Sequence, residues 1–71
     1  MSLVWQKIDS NTIESKCGKY RIKRLTRTHI IFAAEIRVSE LCWVVTWLEH
    51  TADEAKQKCN DDNELELSNG T

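Results

Sequence analysis

Two of the three cysteines and both histidines are the residues of this chain that could bind a metal ion or act in nucleophilic catalysis: Cys42, Cys59, His29 and His50. A structural zinc site needs closely spaced pairs of such ligands, and no such pair occurs here. A Cys42–His50 nucleophile pair would also need an orienting third group and an oxyanion site, and neither is recognisable. With only two glycines, Gly18 and Gly70, the chain has no Gly-rich phosphate loop. The sequence therefore predicts no catalysis, no metal site and no cofactor.

Basic side chains form a second group with potential chemistry. Between residues 16 and 27 there are six basic residues and no acidic one. Alternating cations on a strand could follow a nucleic-acid backbone, with Tyr20 or Trp5 available to stack on a base. The candidate nucleic-acid contacts are Lys19, Arg21, Lys23, Arg24 and Arg27. The other interpretation is a solvated outer surface that discourages edge aggregation.

The distribution of charge along the chain limits the nucleic-acid interpretation. Residues 1–37 hold eight Lys or Arg and three Asp or Glu, whereas residues 38–71 hold two and eight. The net charge is −1, and nucleic-acid-binding domains are usually strongly basic. The basic half could instead pair with the acidic half of a neighbouring subunit. Nucleic-acid binding is therefore the alternative, not the leading hypothesis.

Four segments alternate in a way that predicts β-strands to carry these residues. They are residues 3–8, 19–25, 29–37 and 40–48, and residues 13–16 are expected to continue the first strand after a bend. In the second segment Tyr20 and Ile22 point to one side, opposite the basic residues. Short connections make neighbouring strands antiparallel, so a four-stranded meander is expected.

A helix is predicted to follow the last strand. Thr51 and Glu54 fit a capping box, in which the threonine hydroxyl accepts a free backbone N–H and the glutamate reaches back to the cap. Ala52, Ala55 and Cys59 form one narrow stripe of small residues that can lie close to a sheet. The helix is expected to end near residues 60–62. Residues 61–71 are polar and acidic, and a disordered tail is expected there.

These elements predict an α+β fold, ββββα, with the helix packed on one face of the sheet. Residues 1–60 form a single small domain, since 71 residues are near the lower limit for independent folding. An odd number of widely spaced cysteines argues against a disulfide framework. We expect reduced thiols in a cytosolic protein, with Cys42 and Cys59 as small core residues. No apolar run approaches the roughly 20 residues that span a bilayer.

The last predicted strand is apolar on both faces, and one helix covers only one of them. Trp43, Val45 and Trp47 are placed under the helix, because its small residues need large neighbours. The expected interface is the other face, or the tryptophans if the faces are reversed; its residues are Cys42, Val44, Thr46 and Leu48, with Trp43 and Trp47 as the reversed set. An apolar patch of this kind usually marks a contact site. We therefore expect a non-catalytic interaction module, most simply a homodimer.

The arrangement also resembles short proteins of unassigned function encoded by phages and prophages. The likeness rests on Trp5, on Ile-Glu-Ser-Lys-Cys-Gly-Lys-Tyr-Arg-Ile at residues 13–22, and on Thr-Ala-Asp-Glu-Ala-Lys-Gln-Lys-Cys at residues 51–59. It covers residues 4–60, and the pair Trp43 and Trp47 departs from it. The resemblance implies an accessory role, in which the protein modulates a host or phage protein by binding it. It implies no site residue.

Overall fold

The computed structural model describes residues 3–25 and 31–69 of the chain. These residues form five strands and one helix: β1 (Trp5–Asp9), β2 (Thr12–Ser15), β3 (Tyr20–Leu25), β4 (Ile31–Ser39), β5 (Cys42–Glu49) and α1 (Ala52–Asn69). The strands make one antiparallel sheet in the order β1-β2-β3-β4-β5. The predicted α+β meander is confirmed. The predicted first residues of the third strand, His29 and Ile30, lie outside the described residues.

The sheet has five strands where the sequence predicted four. Residues 12–15 do not continue the first strand but turn back and pair with it, Gln6 opposite Glu14. The reversal follows from the turn between them, where the backbone N–H of Asn11 donates to Oδ1 of Asp9 at 2.8 Å. Such Asx turns close a short loop without help from elsewhere. The turn residues 9–12 therefore reverse the chain completely, and the predicted bend is wrong.

The helix α1 packs across β3, β4 and β5 on one side of the sheet. We call this side the helix face and the opposite side the open face. The core of the helix face contains the fully buried Tyr20, Ile22, Ala34, Ala55 and Cys59. Ala55 and Cys59 belong to the predicted stripe of small residues, which is confirmed. Because the helix contributes only small side chains, the volume of the core comes from the sheet.

The start of α1 is fixed by the predicted capping residues. The backbone N–H of Glu54 donates to the Thr51 hydroxyl oxygen at 3.1 Å. That hydroxyl in turn donates to Oε1 of Glu54 at 3.0 Å. In a standard capping box the glutamate accepts the backbone N–H of the cap residue instead. Thr51 therefore caps the helix as predicted, whereas Glu54 accepts the Thr51 hydroxyl proton and not the backbone N–H.

The helix does not end near residues 60–62; it continues to Asn69, so most of the predicted disordered tail is helical. Its second half is held by polar contacts with the sheet. Tyr20 donates its hydroxyl proton to Oδ2 of Asp62 at 2.6 Å, and Lys19 forms an ion pair with Glu66. The N–H of Leu3 donates to Oδ1 of Asn60 at 2.8 Å. No glycine or proline interrupts this segment before Gly70, so nothing local ends the helix earlier.

Replacing Tyr20 with phenylalanine tests the attachment of the second half of α1. Tyr20→Phe keeps the buried ring but removes the donor to Asp62, and we expect a loss of about 1 kcal/mol in the free energy of unfolding. Urea denaturation followed by far-UV circular dichroism measures it. The matched control is Gln57→Ala, which removes an exposed side-chain bond to Asp61 within the helix. Equal effects of the two variants would contradict the role of Tyr20.

Stability should fall at alkaline pH because of Cys59. Burial of this thiol, with a further contribution from the charge of Asp62, raises its pKa from 9.0 to about 12. The folded state therefore favours the neutral thiol, and its contribution is complete below pH 9.0 and is lost as the pH rises towards about 12. Chemical denaturation between pH 8 and 11 measures the decline. Cys59→Ala should remove the decline that begins near pH 9.0 and leave the part above pH 10.0 that comes from the buried Tyr20, whereas Cys17→Ser and Cys42→Ser, at exposed positions, should leave the whole decline unchanged.

Candidate functional site

A β-bulge in β5 decides which side chains face the helix. Ala34 pairs with Trp47 and the next residue, Glu35, pairs with Val45, so Thr46 has no counterpart on β4. An extra residue of this kind shifts the alternation of side chains along one strand. Trp47 consequently packs against the core of the helix face. Glu35 is on the open face, and Arg37, two residues further along β4, is on the same face. Trp43 pairs with Arg37 and therefore also lies on the open face.

The predicted faces of this strand are therefore wrong for Trp43, Val44 and Val45 and right for Trp47 and Leu48. Trp43, Val45 and Trp47 do not lie together under the helix; of the three, only Trp47 does. Leu48 pairs with Ala33 on the open face, whereas Val44 pairs with Ile36 on the helix face. The prediction assumed an unbroken alternation from residue 40 to residue 48. No residue in the strand signals the bulge, since neither glycine nor a charge interrupts it.

Cysteine 42 was also predicted to be a core residue, and this is wrong. It is exposed, as is Cys17, whereas Cys59 is buried as expected. Cys42 opens β5 and pairs with Ser39 at the turn that joins β4 to β5. A second register shift lies there, so the strand begins at the margin of the sheet and its first side chain gains no cover.

The open face has a polar centre built from three strands. The guanidinium of Arg21 donates to Oε1 of Glu35 through Nη2 at 3.0 Å and through Nε at 3.2 Å. The same guanidinium lies 4.2 Å from the ring centroid of Trp43. Arg37 is the second cation near this ring, at 6.0 Å. Glu35 is only 8% exposed, and Arg21 is its ion-pair partner.

These contacts use part of the basic segment that was considered for nucleic-acid binding. Arg21 is paired with Glu35, and Lys19 is paired with Glu66 of the helix. Lys23 lies on the open face, opposite Ala33, while Arg24 lies on the helix face opposite Phe32. Arg27 lies outside the described residues. The four described cations therefore do not form one row along a single face.

The two aromatic residues proposed to stack on bases are not placed for it. Tyr20 is fully buried, and its hydroxyl is bonded to Asp62. Burial, followed by the hydrogen bond and charge of Asp62, raises the pKa of Tyr20 well above its usual value. Trp5 is half-buried and packs against the core of the helix face. Neither ring offers a free face on the basic side of β3.

Strand β5 is an edge strand with apolar side chains exposed on both faces. Val44 on the helix face is 46% exposed, and Val45 and Leu48 on the open face are 52% and 60% exposed. No charged residue occurs between Cys42 and Leu48. Natural edge strands usually carry charges, proline or bulges that prevent pairing with another chain. The other edge, β1, follows this rule, with Lys7 and Asp9 flanking a register shift. In β5 the pairing is interrupted by the bulge at Thr46 and by the register shift at the start of the strand, and no charge or proline protects the edge between them.

The described cysteine and histidine candidates, Cys42, Cys59 and His50, are not brought together. Cys42 begins β5 and His50 follows its last residue, so they are separated by the length of an eight-residue strand, about 25 Å. Cys59 lies on the buried side of the helix, against the sheet, and its pKa is raised, which disfavours the reactive thiolate. Residues 3–25 and 31–69 contain no group of three or more His, Cys, Asp or Glu side chains suited to a metal ion. His29 lies outside these ranges.

No helix in the described part of the chain combines the length and the apolar character needed to cross a bilayer. Helix α1 is 18 residues long and includes both acids and bases along its length.

Arg21 is expected to be the most sensitive cation of the sheet. Arg21→Gln would leave the nearly buried Glu35 without its ion pair, and we expect a loss of about 2 kcal/mol in the free energy of unfolding. Lys23→Gln is the matched control, because it removes a charge from the same strand and face, and should change stability by less than about 0.5 kcal/mol. Urea denaturation measures the free energy of unfolding of both variants. Similar losses would show that the Arg21–Glu35 pair contributes nothing beyond net charge.

Comparisons of the chain with protein-family models, with curated proteins and with solved structures found no match. The fold and the surfaces described above are therefore the basis for a functional assignment.

Proposed function

We propose that this protein is a small, non-catalytic interaction module that forms a homodimer through the exposed edge of β5. The observation that carries the proposal is the exposure of apolar side chains on both faces of an uncharged edge strand: Val44, Val45 and Leu48. An exposed apolar edge strand is a template for pairing with another strand, and at Thr46 the bulge interrupts this edge only locally. The backbone groups along this edge and the side chains beside it would be covered together.

The distribution of these side chains supports edge pairing over face-to-face packing. A partner lying flat on the open face would cover Val45 and Leu48 but not Val44, which projects from the other side. A strand added beside β5 contacts both sides of the sheet. The polar centre of the open face, with Arg21 over Trp43, also makes that face a poor surface for a purely apolar contact.

A second copy of the chain is the occupant that the residues favour. Strand β5 meets itself without charge repulsion, because residues 42–48 are all uncharged. A two-fold axis between two such strands gives a self-complementary interface and a continuous ten-stranded sheet. The core is small, since only five side chains form its buried cluster, and self-association is a common support for domains of this size.

Nucleic-acid binding has less support. Lys19 and Arg21 are engaged in ion pairs within the chain, and Arg24 lies on the opposite face from Arg21 and Lys23. The accessory role implied by the resemblance to phage and prophage proteins is compatible with a dimer. Binding of a host or phage protein would then use surfaces away from β5.

The dimer is tested by placing an acid on either side of the edge. Val44→Asp and Val45→Asp would each bring like charges together across the two-fold axis, and we expect the dissociation constant of the dimer to rise by about 100-fold or more. Sedimentation equilibrium over a wide concentration range measures it, with about twice the chain mass of 8.3 kDa expected for the parent protein. The matched control is Ile8→Asp, at 52% exposure on the opposite edge strand.

The outcomes separate the modes of association. Loss of the dimer in both valine variants, with the Ile8→Asp protein still dimeric, supports pairing along β5. Loss with Val45→Asp alone indicates packing between open faces. A parent protein that is monomeric at every concentration contradicts the proposal. Far-UV circular dichroism of each variant shows that it is folded, which these half-exposed positions should allow.

A further inference from the structure

A recess lies on the helix face, at the end of the sheet where the helix begins. The helix packs across β3, β4 and β5, and the hairpin of β1 and β2 stands beside it. The space between them has a volume of about 250 Å³. It is bounded by the β1–β2 turn on one side and by Ala52, the first residue of α1, on the other.

The floor of this recess is apolar. Ile13 and Ile22 face each other across β2 and β3, and Phe32 lies on β4 one row further along. Ile22 is 2% exposed, while Ile13 and Phe32 are half-buried and pack against the core cluster. Ile13 and Phe32 are the two that leave apolar surface facing the recess, with Ile22 closing its bottom, and the helix does not reach β1 or β2 to cover this end.

Two cations stand at the rim. Lys7 pairs with Ile13 on β1, and Arg24 pairs with Phe32 on β3, so both belong to the helix face and flank the apolar floor. Both side chains are exposed and line the recess. Their positive charges are on opposite sides of an apolar cleft, an arrangement that suits a ligand with an anionic group and an apolar body.

The acid at this site has partners of its own. Asp9 lies in a cross-strand row with Thr12 and Lys23, and its carboxylate accepts the N–H of Asn11 at 2.8 Å. That hydrogen bond, with smaller contributions from hydrogen bonds to Thr12 and from the charge of Lys23, lowers the pKa of Asp9. The positive end of α1 is already satisfied by Thr51 and Glu54 and is not counted towards binding. Lys7 and Arg24 are the groups available to an anion.

From this arrangement we infer that the recess binds a small amphipathic anion, a carboxylate carried on a short apolar or aromatic body. The body lies on Ile13, Ile22 and Phe32, and the carboxylate lies between Lys7 and Arg24. A volume of about 250 Å³ is below the roughly 300–1,000 Å³ of sites for drug-sized ligands, which limits the body to about one ring. The inference does not depend on self-association through β5.

Benzoate is the probe for this site. Titration into the ¹⁵N-labelled protein should shift the backbone resonances of Asn11, Thr12 and Ile13, next to the recess, in a saturable way. Benzyl alcohol has the same ring without the charge, and inorganic phosphate has charge without the ring. Both should bind at least about tenfold more weakly than benzoate, since each lacks one half of the recognition. Equal affinity for benzoate and either comparison compound would overturn the inference.

Charge variants place the anion at the rim. Lys7→Gln and Arg24→Gln should each weaken benzoate binding by about five- to tenfold, because each removes a charge-assisted hydrogen bond. Both side chains are exposed, so the variants should fold. Lys58→Gln is the matched control, since it removes an exposed cation from the helix without touching the recess. An equal loss with Lys58→Gln would show that benzoate responds to net charge only and would contradict the site.

Discussion

The contact between a narrow stripe of small helix residues and large sheet residues is the constraint on which this fold depends. Ala55 and Cys59 contribute little side-chain volume to the core. The large side chains of Tyr20 and Ile22 on the sheet therefore fill the space beneath the helix. Tyr20 also joins the layers through polar groups: its hydroxyl reaches Asp62, and its N–H donates to the Ser15 hydroxyl at 3.0 Å. One residue thus fixes the hairpin, the central strand and the second half of the helix relative to one another.

Much of the architecture could be predicted from the sequence because it follows from local patterns. Alternation marked β3, β4 and β5, and Thr51 with Glu54 marked the start of the helix. The end of the helix was not predictable in the same way, because residues 60–69 have no apolar stripe. Their helical form depends on contacts with distant residues, such as Asn60 with Leu3. The strand β2 was not predictable because the residues Asp9-Ser10-Asn11 are typical both of a bend within one strand and of an Asx turn between two strands.

The candidate surface could be predicted only in outline. An excess of apolar residues in β5 predicted an uncovered patch, and the exposure of Val44, Val45 and Leu48 matches that expectation in kind. Its distribution depends on the bulge at Thr46, which reverses the faces of the first half of the strand. By sending Trp43 to the open face, the bulge also creates the site on which Arg21 stacks. Strict alternation along residues 40–48 predicts neither the exchanged faces nor the contact between Arg21 and Trp43.

The meander has a consequence for the order in which the protein assembles. Every strand pairs with its neighbour in sequence, so the sheet can form by successive local hairpins, each closing a short loop. The helix that covers the sheet follows all five strands. During synthesis all five strands are therefore made before the helix that covers their apolar helix face. During that interval Tyr20, Ile22 and Trp47 are accessible to chaperones and to other nascent chains.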